Sequence, residues 1–300
     1  MRHFIRFIFF GNIFYGICAI ALSIEANIQQ SLPLNGFLFY LLSFIITVVY
    51  YDVAYITEKP GISHNPRTIW YAANLKNIKR LHLFLMVLFS VGGIYLLKEY
   101  WRDLRVLPWD VWLLIFTFPL AAILYYGVNH KSVKHFSLRD VGWLKPFIIG
   151  FSWSGLVTVY PIIYYCIIRQ IPFHISLLGF LLFVKNFMFI SMLCILFDIK
   201  DYATDYNQRL KTLVVKLGLR KIIFIIIIPL TVIGLGSFLA YGLTHGFSMF
   251  KILMNTLPFL LLISVAYSMK RRRNIFYYLV IIDGLMLVKA FCGIIGSLCF

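Results

Sequence analysis

The stretch FDIKDYATDYNQRLKTLVVKLG, residues 197–218, places three aspartates at the end of an apolar segment: Asp198, Asp201 and Asp205. Their spacing of three and then four residues puts them within about 60° of arc on one face of a helix. Three carboxylates on one stripe repel each other, so we expect either a cation beside them or raised pKa values of the carboxyl groups. Basic residues follow at once along the chain.

Two interpretations of this acidic stripe follow from the residues. In the first, it is a solvated helix end, where Asp205 pairs with Arg209 four residues later. In the second, it is a Mg²⁺ site, because Mg²⁺ prefers hard oxygen ligands and commonly shares them with a phosphorylated ligand. Under the second interpretation the basic residues that follow, Arg209, Lys211 and Lys216, would bind the same anion.

The composition assigns the chain to the membrane. Of its 300 residues 61% are hydrophobic and 13% are charged, and the mean hydropathy is +0.87. A soluble domain of this length could not bury so much apolar surface. The sequence predicts an all-α polytopic protein, residues 1–300 forming one integral-membrane domain. About nine segments are near the ~20 residues needed to cross a bilayer: 4–24, 34–55, 81–99, 108–128, 144–168, 175–199, 221–244, 250–269 and 275–298.

The positive charge behind the net charge of +17 is concentrated in the polar segments on one side of the predicted membrane spans. With the N-terminus in the cytoplasm, cytoplasmic segments hold 21 Lys and Arg residues, and the opposite loops hold five. This bias follows the positive-inside rule and gives no reason to expect nucleic acid as a partner. We therefore expect a multi-pass protein of a bacterial inner membrane or an organellar equivalent, with the acidic stripe on the cytoplasmic side. The basic-then-apolar start is interpreted as a retained first helix because its apolar run is long for a signal peptide.

The acidic stripe resembles the second aspartate-rich motif of the UbiA-type intramembrane prenyltransferases, DxxDxxxD followed by a KTL-type stretch and Leu-Gly. The matching residues are Asp198, Asp201, Asp205, Lys211, Thr212, Leu213 and Gly218. The resemblance implies a helical bundle around a central cavity open to the membrane. It also implies that the chain holds a polyprenyl diphosphate through Mg²⁺ and transfers the prenyl group to an acceptor, often an aromatic one.

The related first motif of that family is degenerate here. Residues 50–74 read YYDVAYITEKPGISHNPRTIWYAAN, so the pattern becomes Asp52-x-x-Tyr55-x-x-x-Lys59. One aspartate of three remains, and Lys59 is interpreted either as a fixed positive charge for the diphosphate or as an ordinary charge in cytoplasmic water. The later Asn-Pro-Arg, ending at Arg67, resembles the family's tail near the diphosphate.

The resemblance implies one set of binding residues. The metal ligands would be Asp198, Asp201, Asp205 and Asp52. The diphosphate would contact Arg67, Arg139, Lys145, Lys211, Asn12 and Lys59. For Arg139 and Lys145 the competing interpretation is positive-inside charge, and for Asn12 it is a hydrogen-bonded helix amide. The sequence indicates no base that would activate an acceptor.

Two functions remain open at this point. The first is a Mg²⁺-dependent prenyltransferase whose partners are a polyprenyl diphosphate, an unidentified acceptor and membrane lipids. The second is a non-catalytic binder or transporter of an anionic isoprenoid lipid, which the degenerate first motif favours. Within the bilayer we expect Lys185 to pair with Asp283, because pairing avoids two isolated charges in hydrocarbon. We expect Lys289 to extend towards the far interface.

Overall fold

The computed structural model describes residues 2–57, 65–126, 141–207, 212–269 and 273–299. Within these ranges it describes the backbone, but not the side chains, of residues 2, 201, 203–207, 219 and 220. All of the regular secondary structure in the described part is helical. The α-helices are α1 (Arg2–Phe10), α2 (Ile13–Gln29), α3 (Phe37–Ile56), α4 (Pro66–Glu99), α5 (Trp101–Val106), α6 (Trp109–Tyr126), α7 (Lys145–Ser154), α8 (Tyr160–Arg169), α9 (Leu177–Asn207), α10 (Leu213–Ile222), α11 (Ile228–Thr231), α12 (Ser237–Thr244), α13 (Met249–Ser268) and α14 (Gly284–Leu298).

Short π-helical turns join several of these helices into longer spans. One lies between α7 and α8, so that residues 145–169 form a single span. Two more flank α11, one before it and one after it. A fourth, Tyr277–Ile282, directly precedes Asp283 and α14. Eight helices in the described part are long and apolar enough to cross a membrane, or nine if α1 and α2 form one broken span. The predicted all-helical polytopic fold is confirmed.

The first span is not the continuous helix that the sequence predicts. Helices α1 and α2 meet at an angle of 58°. Asn12 lies at the break with φ 61° and ψ 4°, in the left-handed region that asparagine tolerates better than most residues. Asn12 thus lies between the two helices, and its side chain is completely buried. A strained backbone held at a buried polar residue is typical of a functional site.

Helix α4 begins much earlier than predicted, at Pro66 instead of near residue 81. Its start has a physical cause in the Asn-Pro-Arg sequence. The side-chain oxygen of Asn65 accepts a hydrogen bond from the Arg67 backbone N–H at 3.0 Å, and Pro66 occupies a first-turn position that needs no donor. This cap places Arg67 in the first turn of α4.

Helices α7 and α9 pack closely because α7 carries a glycine at their contact. A Cβ atom at Gly150 would clash with the Ser191 side chain and lie 2.9 Å from the backbone oxygen of Phe187. The close approach brings the start of α7 alongside the last third of α9. The main apolar core lies beside this contact and includes Tyr15, Trp153 and Leu196.

Candidate active site

Asp52 and Asn12 form the first half of the site. Asp52 lies near the C-terminal end of α3 and is 2% exposed. Its Oδ1 accepts hydrogen bonds from Asn12 Nδ2 at 2.7 Å and from the Tyr71 hydroxyl at 2.5 Å. Asn12 Nδ2 also lies 2.9 Å from the Tyr71 oxygen. The structure thus joins the break after α1 to α3 and α4, and the side chain of Asn12 makes these contacts and does not cap its own helix.

Arg67 lies directly beside this cluster and is 3% exposed. Its Nε donates to the backbone oxygen of Phe10 at 3.1 Å, and its Nη2 donates to Asn12 Oδ1. The guanidinium carbon lies 4.4 Å from the ring centre of Tyr55 and 5.9 Å from that of Tyr15. Contacts between a guanidinium and aromatic faces stabilise a buried positive charge. Arg67 therefore presents a fixed cation at one end of the bundle.

Tyr55, which stands where the family pattern has its second aspartate, has a packing role here. Its ring stacks on that of Tyr71 with centres 4.7 Å apart and planes 19° apart. The same ring lies against Arg67. At the position where the family pattern has an aspartate, this chain thus has an aromatic ring, and that ring packs against the Arg67 guanidinium. Lys59, interpreted either as a cation for the diphosphate or as an ordinary cytoplasmic charge, lies outside the described residues.

Asp198 and Lys145 form the second half of the site. Asp198 lies on α9 and is 1% exposed, and Lys145, the first residue of α7, is 27% exposed at its side chain. Lys145 Nζ donates to Asp198 Oδ1 at 2.5 Å. The sequence predicts Lys145 as a diphosphate ligand, and the structure shows it paired with the first aspartate of the acidic stripe.

The remaining predicted residues lie at or beyond the edge of the described structure. Asp201 and Asp205 continue α9, whose described backbone extends to Asn207, but their side chains are outside the described part. Arg139 and Lys211 also fall outside it. Beyond them Thr212 caps α10 by accepting from the Val215 N–H at 3.4 Å. Gly218 interrupts α10 at φ 74°, which explains why glycine suits the Leu-Gly position.

A buried pair that the sequence missed lies between the two halves. The Tyr15 hydroxyl donates to Asp283 Oδ2 at 2.7 Å. Asp283 is close enough to Arg67 for their charges to interact. Cys194, one turn before Asp198, is within electrostatic range of both Asp198 and Asp283. Asp52 near the end of α3, Arg67 in the first turn of α4, Lys145 at the start of α7 and Asp198 in the last third of α9 all belong to helix ends that an up-and-down bundle places on one side.

Aromatic side chains fill the space around this pair. Tyr15 stacks on Tyr51 with ring centres 4.6 Å apart, and the Tyr51 hydroxyl accepts from Trp153 Nε1 at 2.8 Å. These residues come from α2, α3 and α7, so periodicity within one helix gives no indication that they meet. The local feature that draws attention to Asp283 is the π-helical turn directly before it, Tyr277–Ile282. Such turns often occur at functional sites.

Two predictions about charges inside the bilayer are wrong. Lys185 pairs with Glu25 and not with Asp283: its Nζ lies 3.7 Å from Glu25 Oε1 and donates to Asn255 Oδ1 at 2.7 Å. Lys289 does not extend to the interface, since it is 2% exposed and lies 2.6 Å from Glu25 Oε2. A carboxylate near the end of α2 offers both lysines a partner that distance along the chain does not reveal. The Glu25 cluster denotes Glu25, Gln29, Lys185, Asn255 and Lys289.

The chemistry of Asp198 suits a cation. Its buried carboxylate already holds an ammonium group, and Asp201 and Asp205 follow it on the same helix. Carboxylate oxygens are the ligands that Mg²⁺ takes in proteins. Among the side chains that the structure describes, no group of three or more His, Cys, Asp or Glu residues is positioned to hold a metal. A metal at this end would therefore need Asp201, Asp205 or oxygens of the substrate.

Comparison with known proteins identifies the fold. No family model matches the chain, and no curated protein matches it in sequence. A solved structure of a digeranylgeranylglyceryl phosphate synthase in membranes aligns with 100% of this chain and 100% of its own, with a TM-score of 0.59 and 14% sequence identity. The chain therefore has the fold of that membrane synthase.

Proposed function

We propose that the protein is an intramembrane prenyltransferase that moves a polyprenyl group from its diphosphate to an acceptor. The observation that carries this proposal is that one bundle holds, at the same ends of its helices, the buried network of Asp52, Asn12 and Arg67 and the buried ion pair of Asp198 with Lys145. Charged groups buried within a membrane are rare and mark functional sites. The fold shared with a prenyltransferase supports the reaction class.

The diphosphate would bind between the two halves of the site. Arg67 offers a planar guanidinium, a group that suits phosphate oxygens, and Lys145 offers a partly exposed ammonium. Arg139, Lys211, Asn12 and Lys59 complete the proposed set of diphosphate contacts. Asp198, Asp201, Asp205 and Asp52 would hold Mg²⁺. When bound, Mg²⁺ supplies positive charge that stabilises the departing diphosphate.

The reaction needs a water-poor space for the allylic cation that forms when the diphosphate leaves. The stacked rings of Tyr15 and Tyr51, with Trp153 beside them, offer electron-rich faces at this end of the bundle. Such faces stabilise a cation by about 0.5–2 kcal/mol each. An acceptor atom then captures the cation. The aromatic residues would thus stabilise the developing charge while the basic residues bind the leaving group.

The second candidate is a non-catalytic protein that binds or transports an anionic isoprenoid lipid. Tyr55 favours it, because the ring stacks on Tyr71 and supports Arg67 where a catalytic metal site would have a carboxylate. Such a protein would keep the cations and bind the lipid without releasing diphosphate.

The discriminating experiment incubates purified protein with Mg²⁺ and labelled prenyl diphosphates of several chain lengths, with membrane lipid extract as the source of acceptor. Release of diphosphate together with a prenylated product supports the transferase. Tight binding of the intact diphosphate, with neither release nor product, would support the binder. Failure to bind any of the diphosphates would contradict both functions.

The charge bias also supports an orientation, with the N-terminus and the acidic stripe in the cytoplasm and the C-terminus opposite. In a variant without its native cysteines, single cysteines at positions 207 and 248 should react with an impermeant thiol reagent from opposite sides of the membrane. Reaction of both from the same side would overturn the nine-span topology.

A further inference from the structure

Helix α4 is much longer than a membrane crossing requires. Its 34 residues extend over about 51 Å, whereas the hydrocarbon core of a bilayer is about 30 Å thick. A tilt of about 40°, the upper end of the range for membrane helices, would still leave about 39 Å along the bilayer normal. Part of α4 therefore lies outside the hydrocarbon, and its exposed side chains show which part.

The exposed side chains of α4 change character along one face of the helix. Lys76, Lys79 and Arg80 are all exposed, and their spacing of three residues and then one keeps them within about 100° of arc. Leu83 and Val87, which lie within the same arc, are 65% and 55% exposed. The same face thus turns from basic to apolar within one helical turn after Arg80.

The apolar part of α4 has the length of a bilayer core. The exposed residues between Arg80 and Lys98 are Leu83, Phe84, Met86, Val87, Ser90, Val91, Ile94, Tyr95 and Leu97. Ser90 is the exception to their apolar or aromatic character, and its hydroxyl donates to the backbone oxygen of Met86 at 2.9 Å. Arg80 and Lys98 are eighteen residues apart, which corresponds to about 27 Å along a helix. The two cations thus bracket a stretch that matches the hydrocarbon core.

Interfacial residues mark both boundaries of this stretch. Trp101, just beyond α4, is 50% exposed, and tryptophan is enriched where a bilayer meets water. Lys76, Lys79 and Arg80, the basic band, mark the other boundary. Helix α4 contains no acidic residue before Glu99, and the ion pairs among the described side chains all lie elsewhere. Within the described part of the chain, no carboxylate balances the charge of the basic band.

We propose that the basic band binds the headgroups of anionic phospholipids at the membrane boundary that the proposed orientation places in the cytoplasm. Lysine and arginine form charge-assisted hydrogen bonds with phosphate oxygens. Each Lys or Arg near an anionic membrane surface strengthens the attraction about fivefold. Cations that served only to orient the chain during insertion would show no preference for a lipid with net negative charge. The inference goes beyond prenyl transfer and uses no residue of the candidate site.

The test measures lipid preference beside the basic band in purified protein reconstituted into phosphatidylcholine vesicles. In a variant without native cysteines, Phe84→Cys, at a position 62% exposed and one turn from Arg80, carries a fluorophore. Phosphatidylglycerol or phosphatidylcholine, each with the same nitroxide-labelled chain, is added in increasing proportion, and quenching gives their relative affinities. Phosphatidylglycerol should bind there at least about fivefold more tightly, the contribution of one cation near an anionic surface.

Two triple variants of the basic band identify the cause of the preference. The variant Lys76→Gln, Lys79→Gln, Arg80→Gln removes the charge and should bring the ratio of affinities close to one. The variant Lys76→Arg, Lys79→Arg, Arg80→Lys keeps the charge and should keep the preference. A fluorophore at Leu243→Cys, an exposed position near the end of α12, should report the same ratio with and without the charge of the basic band.

Three outcomes would overturn the proposal. The first is a ratio near one beside an unchanged basic band. The second is a preference that persists in the folded neutral variant, because the anionic lipid then binds elsewhere. If the neutral variant does not fold, salt supplies the third: raising the ionic strength from about 0.1 M to about 1 M shortens the Debye length from about 10 Å to about 3 Å. The preference of the unchanged protein should then largely disappear, and a preference that salt leaves intact contradicts the proposal.

Discussion

The candidate site and the Glu25 cluster are two polar regions of one apolar bundle, and they balance their charges differently. In the Glu25 cluster one carboxylate meets two lysines, and all three side chains are 1–2% exposed. In the candidate site Lys145 is 27% exposed, and Arg67 lies against aromatic faces and the amide oxygen of Asn12. All three charged side chains of the Glu25 cluster are buried, whereas the candidate site includes one cation, Lys145, that is partly exposed.

Helix α9 contributes to both regions. Lys185 precedes Asp198 by thirteen residues, which corresponds to about 20 Å along a helix. At the Lys185 level, Gln29 Nε2 donates to Glu25 Oε1 at 2.7 Å, and a Cβ atom at Gly293 would clash with both of those side chains. Such tight packing leaves no space for a ligand. Asp52 and Arg67 are buried almost as deeply as the Glu25 cluster, so the comparison teaches that burial alone does not separate a structural charge from a functional one in this protein.

The largest expected effect is on stability and comes from the Glu25 cluster. Glu25→Gln leaves two buried ammonium groups without their carboxylate, which should lower the free energy of unfolding by about 3–5 kcal/mol. Unfolding of the purified protein in mild detergent, followed by circular dichroism, would measure the change. Glu99→Gln makes the same chemical change at an exposed position and should have little effect. Equal stability of the two variants would contradict a structural role for the cluster.

The next effect concerns the cation of the candidate site. Arg67→Ala should weaken binding of a prenyl diphosphate about tenfold or more with or without Mg²⁺, because charge-assisted hydrogen bonds are lost. Equilibrium binding of a labelled prenyl diphosphate would show it. Arg169→Ala, at the other end of the bundle, is the matched control. Arg67→Lys should recover part of the affinity, since it keeps the charge but not the planar group.

A smaller and metal-dependent effect is expected at the acidic stripe. Asp201→Asn should weaken diphosphate binding several-fold in Mg²⁺ and hardly at all in a chelator, because it removes one acidic ligand of a shared metal. Asp110→Asn, at an exposed position at the start of α6, is the control. Unchanged affinity in both Arg67→Ala and Asp201→Asn, in folded protein, would contradict the proposed diphosphate site.

The smallest effect concerns the degenerate first motif. If Lys59 contacts the diphosphate, Lys59→Ala should weaken binding most when Mg²⁺ is scarce, because the ammonium replaces charge otherwise supplied by metal. The double variant Tyr55→Asp, Lys59→Asp should make binding more dependent on Mg²⁺. The measurement is a Mg²⁺ titration at fixed diphosphate. The same Mg²⁺ dependence in all three proteins would make Lys59 an ordinary surface charge.

Sequence patterns predicted the features of this protein that depend on local physical properties. Apolar segments of about twenty residues indicate membrane helices because an unpaired backbone cannot cross a bilayer. The spacing of Asp198, Asp201 and Asp205 indicates one helical stripe. The Asn-Pro-Arg run ending at Arg67 contains the start of α4, fifteen residues before the membrane span that the apolar pattern predicts at 81–99. The resemblance to prenyltransferases, based on a few spaced residues, is confirmed at the level of the fold.

Pairings between distant charges were not predictable in the same way. Lys185 and Asp283 were expected to pair because both lie at similar depths in the bilayer. The depth of a residue does not determine the direction in which its side chain points. Glu25 lies just beyond the predicted first span, 4–24, so the sequence pattern does not place it inside the bundle, whereas α2 extends to Gln29. Its role appears only when α2, α9 and α14 pack together and place it between Lys185 and Lys289.

The amino-acid sequence by itself determined the environment, the helical class and the position of the acidic stripe, because each depends on the polarity and spacing of neighbouring residues. Only the tertiary structure decided which polar and charged groups meet: Asn12 with Asp52 and Arg67, Lys145 with Asp198, and Glu25 with two lysines. The physical reason is that electrostatic and hydrogen-bonding energies depend on distances of a few ångströms. Those distances are set by the break at Asn12, by close contacts such as that at Gly150, and by the rotation of each helix about its axis.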